Sequence, residues 1–438
     1  MKMKRLAAFA LAGAMVIGTC TTAFAYDTYQ GYTEVQDVND PEDIVTATAH
    51  RAAAPLIDML GANATSGFGM LNGSAPATLS DANDSLGIQI WGTAKNQVRD
   101  PYYANYYYNF YAAANNLSQT PNALINDDRS GSPINADPQT TSLSTRPDVV
   151  VGVSSNNNPE DMHGYDSQLS IINAGLDEND EDYYAPTLVA YDPRTLDTMI
   201  TTVYNTAIAI YDAGEYRYGD PRVIADKYEQ YVQGIQGYIV KYKSKKTVAI
   251  VSGYDSETHT FTAVGQGAAA TTSSDRLVEC TSKICNNITN SASESVSEAT
   301  VNNANWIISE NAATDASIQA LVSAGTITNT NILYSTDRPD TLYGITMNSV
   351  ENAMGLAFFA AKIYGNDSDA TDPLNGWNLM RYFYCVFWHV NDNELISNTG
   401  LLYDALNNEF AIQTTINVTN LESKLAEGES YYDANLAN

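Results

Sequence analysis

The sequence predicts an α/β protein built as two Rossmann-like lobes joined by a single long helix. Three observations carry this: continuous β-branched runs that alternate with amphipathic helices, one uninterrupted helix near the middle, and a second round of the same alternation after it.

The first part opens with Ile44-Val45-Thr46-Ala47-Thr48 as a short strand and Ala52 to Leu60 as a helix stopped at Gly61. Residues 62–146 are rich in Asn, Ser, Thr, Asp and Gly, with little periodicity apart from a possible strand at Ile88 to Trp91. Pro147 to Val153 is a continuous apolar run of the kind a parallel sheet buries on both faces. Leu188 to Tyr191 repeats it. The acidic stretch Asp177 to Asp182 lies between them.

Two helices follow. Leu196, Met199, Ile200, Val203, Ala207 and Ile208 keep helical spacing within Thr195 to Asp212, ahead of Gly214. Asp220-Pro221 is an N-cap and first-turn pair that starts a helix running to about Lys243. At ~1.5 Å per residue that helix spans roughly 35 Å. Lys241, Lys243, Lys245 and Lys246 gather at its C-terminal end, where cations are favoured.

Beyond it, Thr247 to Val251 is a buried strand and Thr258 to Val264 its hairpin partner. Residues 274–290 read as helix. Trp306 to Ser309 and Ile332 to Ser335 read as strands around a helix at 314–323. Asn348 and Glu351 read as a capping box for a helix to Tyr364, and 377–426 as mostly helical. The resulting division is 1–25 leader, 26–218 first lobe, 219–244 linking helix and 245–438 second lobe.

The leader has its own signature. Lys2, Lys4 and Arg5 precede an apolar run from Leu6 to Ile17, and Ala23-Phe24-Ala25 is a small-x-small cleavage site. The run is short of the ~20 residues a membrane span needs. Cys20 offers a lipoprotein alternative, but Thr19 is a poor residue at that cut. The expected location is therefore periplasmic or extracellular, after cleavage behind Ala25.

Charge narrows the partners. The chain carries −29, and loss of residues 1–25 leaves 19 basic against 51 acidic residues, a net charge of −32. Such a field repels nucleic acid and anionic membranes. Tyr is the compositional outlier, 30 residues against 10 Phe, which suits wet aromatic surfaces or half-buried packing.

Outside the cytoplasm, Cys280, Cys285 and Cys385 are disulfide candidates in any of three pairings, with one thiol left over. There is no GxSxG, HExxH, CxxC or phosphate-binding loop. Gly265-Gln266-Gly267 lacks the acidic partner of a dinucleotide fingerprint. His50, His163, His259 and His389 share no metal-ligand spacing. The expectation is a protein that does no chemistry, holds no intrinsic cofactor or metal, and acts as a monomer. A secreted Tyr-rich scaffold binding a protein or glycan surface, and a hydrolase using the carboxylates of 177–182, are the competing readings.

Four segments in order resemble the ABC-transporter solute-binding proteins of the helical-backbone class. They are IVTATAHRAAAPLIDMLGA (44–62), RPDVVVGVSSNNNPED (146–161), YDPRTLDTMITTVYNTA (191–207), and VSEATVNNANWIISEN (296–311) with RPDTLYGITMNSVENAMGLAFFAAKIYG (338–365). The family binds ferric siderophores, haem or cobalamin. The resemblance implies a stiff two-lobed molecule with a ligand cleft between the lobes, lined by loops at the strand ends. That places Tyr102, Tyr103, Tyr106, Tyr107, Tyr108, His163, Tyr165, Tyr254, Arg338 and Tyr343 as ligand candidates. It also implies docking on a membrane permease through one carboxylate per lobe, Glu160 and Glu298. The long polar region 62–146 and the size of the chain depart from the family's usual pattern. No Arg in the cleft segments is compelling, which favours a neutral or weakly charged metal chelate.

Overall fold

A computed structural model describes residues 46–48, 54–61, 64–66, 149–153, 175–180, 183, 185–214, 216, 219–265, 273–289, 293–338, 350–369, 371–387, 410 and 418–437. The leader, most of 62–146, the loop 154–166 and Tyr343 lie outside the described residues.

The first sheet is short and wholly parallel. Its order is β2 (Ala64–Ser66), β1 (Thr46–Thr48), β3 (Val149–Val153), β4 (Thr187–Tyr191). Helix α1 (Ala54–Met59) crosses from β1 to β2 and ends at Gly61, whose φ of 84° lies in the left-handed region. Helix α2 (Leu196–Ala213) packs on β3 and β4. Its start is fixed by a reciprocal Thr195–Thr198 capping box and its end by Gly214.

Helix α3 (Pro221–Tyr242) stands between the two sheets in the chain. Asp220 caps it, accepting from the Arg222 backbone N–H at 2.9 Å. It is not a bare rod: α2, α7 (Asn352–Tyr364), α8 (Gly376–Phe387) and α9 (Val418–Asn435) all pack against it.

The second sheet has the order β10 (Ile332–Leu333), β9 (Trp306–Ser309), β5 (Thr247–Asp255), β6 (Thr260–Ala263), β8 (Ser295–Ser297). β10, β9 and β5 are parallel; β6 and β8 are antiparallel additions. Helix α5 (Glu298–Asn302) follows β8, and α6 (Ala312–Ser323) connects β9 to β10. Alternation along β5 divides the interior. Val248 and Ile250 enter the large core shared with α2, α3, α7 and α8, while Ala249 and Val251 enter a second cluster with Ile307 and Ile318.

Several expectations are corrected. Helix α4 (Ser273–Ser282) stops well before 290, because Asn286–Asn287 forms β7 and pairs in parallel with Thr247 and Val248. Ladder bonds available from β5 override local helix preference there. Helix α7 begins at Asn352, so Glu351 occupies the N-cap position rather than the third helical position of a capping box, fully buried and without a side-chain capping hydrogen bond, while Asn348 lies outside the described residues. The strand at 332–335 is cut to two residues by a 3-10 turn over Ser335–Asp337.

Cys280, Cys285 and Cys385 are buried thiols, none of them in a disulfide. The Cys280 thiol points at the Asn352 carbonyl (3.4 Å) and Cys285 faces the Tyr364 hydroxyl (3.5 Å). Burial pushes the Cys285 thiol up to about 11. Part of the Tyr excess is also structural. Tyr191, Tyr228, Tyr231, Tyr382 and Tyr384 are fully buried, and Tyr228 and Tyr231 donate to the Val350 and Leu379 carbonyls at 2.9 and 3.0 Å. Among the described residues, no helix is long and apolar enough to cross a membrane.

Candidate functional site

Ligands of open α/β sheets sit beyond the C-terminal ends of parallel strands. In the second sheet those ends form a braced rim. β5 kinks between Val251 and Tyr254, and Gly253 takes φ 77° there, a backbone state that favours glycine. The Gly253 N–H donates to the Thr314 hydroxyl at 2.6 Å. Asn311, just past β9, accepts from the Thr314 N–H at 3.0 Å and so caps α6.

One turn into α6, the buried Asp315 ties down the segment after β10. Its carboxylate accepts from the Ser335 N–H (3.0 Å), the Ser335 hydroxyl (2.7 Å) and the Thr336 N–H (3.1 Å). Burial alone would raise its pKa. The bonds from Ser309, Ser335 and Thr336 outweigh that and hold it below the usual carboxylate range.

Arg338 closes the rim. It is buried and donates to the Ser309 and Glu310 carbonyls. This guanidinium, a ligand candidate, is held at the end of β9 by those carbonyls. Glu310 itself accepts from the Ser274 hydroxyl on α4.

Helix α4 then reaches the first sheet. Glu279 accepts from the Leu196 N–H at the start of α2 (3.0 Å), Arg276 donates to the Arg194 carbonyl, and Lys283 pairs with Asp197 at 2.5 Å. Just beyond β4, Arg194 forks onto Asp192 at 2.8 and 3.0 Å. The C-terminal ends of β4 and β9 are thus connected through one helix.

Tyr254 and Glu298 lie elsewhere, at the β5–β6 hairpin. The Tyr254 hydroxyl donates to Glu298, and His259 Nδ1 stands 3.3 Å from both. The Glu298 hydrogen bond pushes Tyr254 up to about 12, and the same bond holds Glu298 low. One ligand candidate and one docking candidate therefore meet each other. Tyr102, Tyr103, Tyr106, Tyr107, Tyr108, His163, Tyr165, Tyr343 and Glu160 lie outside the described residues.

The described part of the acidic stretch, Asp177 to Asp180, closes on itself. Asp177 accepts from the Asn179 backbone and side chain at 3.1 and 2.7 Å, and Asp180 accepts from the Asp177 N–H at 2.7 Å. Among the described residues, no group of three His, Cys, Asp or Glu could hold a metal ion. Residues not singled out from the sequence are Ser274, Glu310, Asp315 and Arg194. The available signal was position: Glu310 follows directly on a predicted strand, and Arg194 comes three residues after one.

No protein-family model matches the chain, and no curated protein matches it. Solved structures do. The chain is similar to an ABC transporter solute binding protein from Sulfurospirillum deleyianum DSM 6946, at 12% identity over 81% of this chain and 93% of that one, with a TM-score of 0.38. It is similar to a periplasmic binding protein from Veillonella parvula DSM 2008, at 11% identity over 74% and 92%, TM-score 0.36. It is also similar to S. aureus IsdE complexed with heme, at 12% identity over 73% and 99%, TM-score 0.33.

Proposed function

We propose that the protein is an exported, non-enzymatic solute-binding protein that holds a metal chelate between two lobes and delivers it to a membrane ABC permease. One observation carries the reading: helix α4 links the C-terminal end of β4 to that of β9, so the ligand ends of two sheets adjoin. In this reading α3 is the joint between the lobes, and its sheath of helices keeps it stiff.

The described rim favours a neutral or weakly charged chelate such as haem or a corrinoid over a strongly anionic siderophore. Arg338 is engaged by backbone carbonyls and Arg194 by Asp192, while Glu310 presents a carboxylate. The net charge of the whole chain acts in the same direction. Glu298, oriented by Tyr254 and His259, is the proposed docking carboxylate of the second lobe, with Glu160 as its counterpart in the first.

A melting-shift panel of haem, cobalamin and ferric siderophores tests this. One compound is expected to raise the melting temperature and bind one per chain, since ligand at about 100 times its Kd adds ~2.7 kcal/mol. Silence from every compound would overturn the proposal.

A further inference from the structure

The C-terminal helix α9 crosses α3 at three glycines. A Cβ on Gly234 would lie 2.5 Å from the Leu425 carbonyl oxygen. One on Gly237 would strike the Gly428 carbonyl, and one on Gly428 the Gly234 carbonyl. At these positions the backbones of the two helices are in direct contact.

The edges of this crossing carry charge. Lys227 pairs with Glu422 at 3.5 Å. Lys241 and Lys424 both hold Glu427, at 2.7 and 2.9 Å. Lys241 above all, then Tyr242 and Lys424, keep the Glu427 carboxyl at about 2, so it stays ionised at ordinary pH.

Glu429 is placed differently. It accepts from Gln230 on α3 at 3.1 Å, and its acidic neighbours are Glu229 and Asp226 on α3 and Asp433 on α9. Three residues further along α9, Tyr432 faces Asp197 of α2 and Lys283, which follows α4. Lys283 is already paired with Asp197 and Glu279.

We propose that Glu429 makes the α3–α9 crossing a pH-sensitive clasp, closed in acidic surroundings and loosened in alkaline ones. Partial burial at the crossing raises the Glu429 carboxyl, the Gln230 hydrogen bond lowers it, and Glu229, Asp433 and Asp226 raise it further, to about 7. With α9 released, Glu429 returns to its ordinary value of 4.5. The clasped state therefore binds the proton more tightly. Closure is full below the released value and weakens as pH rises from there through about 7. Because α3 separates the two sheets in the chain, loosening α9 frees the segment that joins them. This does not depend on what the molecule binds.

Hydrogen exchange on the full-length protein tests the clasp, with α9 amides corrected for intrinsic rate and β5 amides as the internal reference. Protection of α9 is expected to fall at least about tenfold between pH 5 and pH 8. Glu429→Gln should keep it high at both, and Gly428→Ala should lower it at both. Protection of α9 that is unchanged by pH in the native protein, an unchanged fall in Glu429→Gln, or no loss in Gly428→Ala would each overturn the proposal.

Discussion

Asp315 shows how a single carboxylate shapes the rim. It holds two backbone N–H groups and a hydroxyl after β10, so the loop's course depends on its charge and acceptor geometry. Asp315→Asn would turn an amide donor toward one of these donors, and a loss of about 1–3 kcal/mol is expected at neutral pH. Its pKa is lowered in the folded state, so its contribution is full above the ordinary value of 3.8 and disappears as pH falls below it. Urea melts of the two proteins should differ at pH 7 and draw together progressively as pH is taken below 3.8. Glu298 and Tyr254 were visible in the sequence as separate candidates. Their pairing was not, because 44 residues separate them and only the β5–β6–β8 ladder brings them together.

At the scale of elements, the alternation within β5 is decisive. Ile250 faces the large core and Val251 the smaller cluster. Ile250→Ala should cost about 2–5 kcal/mol in chemical denaturation, because close-packed neighbours on a strand cannot collapse into the void. A cost under about 1 kcal/mol would contradict the two-sided burial. Helices α2 and α3 were readable to within a residue because their caps are local: Thr195, Gly214 and Asp220-Pro221 act on adjacent backbone. The end of α4 was not readable, since β7 exists only through pairing with β5. The same holds for Glu351, whose burial at the start of α7 depends on the elements packed around it.

For the whole molecule, self-repulsion is the dominant long-range term. A chain with 51 acidic and 22 basic residues repels itself most when compact. At 0.15 M salt the Debye length is about 8 Å, so distant carboxylates no longer interact. The melting temperature is therefore expected to rise between about 10 and 150 mM sodium chloride, and a fall would mean that the lysine pairs along α3 and α9 outweigh the general repulsion.

By itself the sequence determined the α/β alternation, the long central helix and the acidic surface, because periodicity, capping and charge are written in neighbouring residues. Only the tertiary structure decided which polar groups were already taken. Arg338 turned out bound to β9, three cysteines remained thiols, and six of the described tyrosines went into the core. Each of those outcomes depends on partners distant in the chain, and hydrogen-bond satisfaction in a packed interior leaves no local trace.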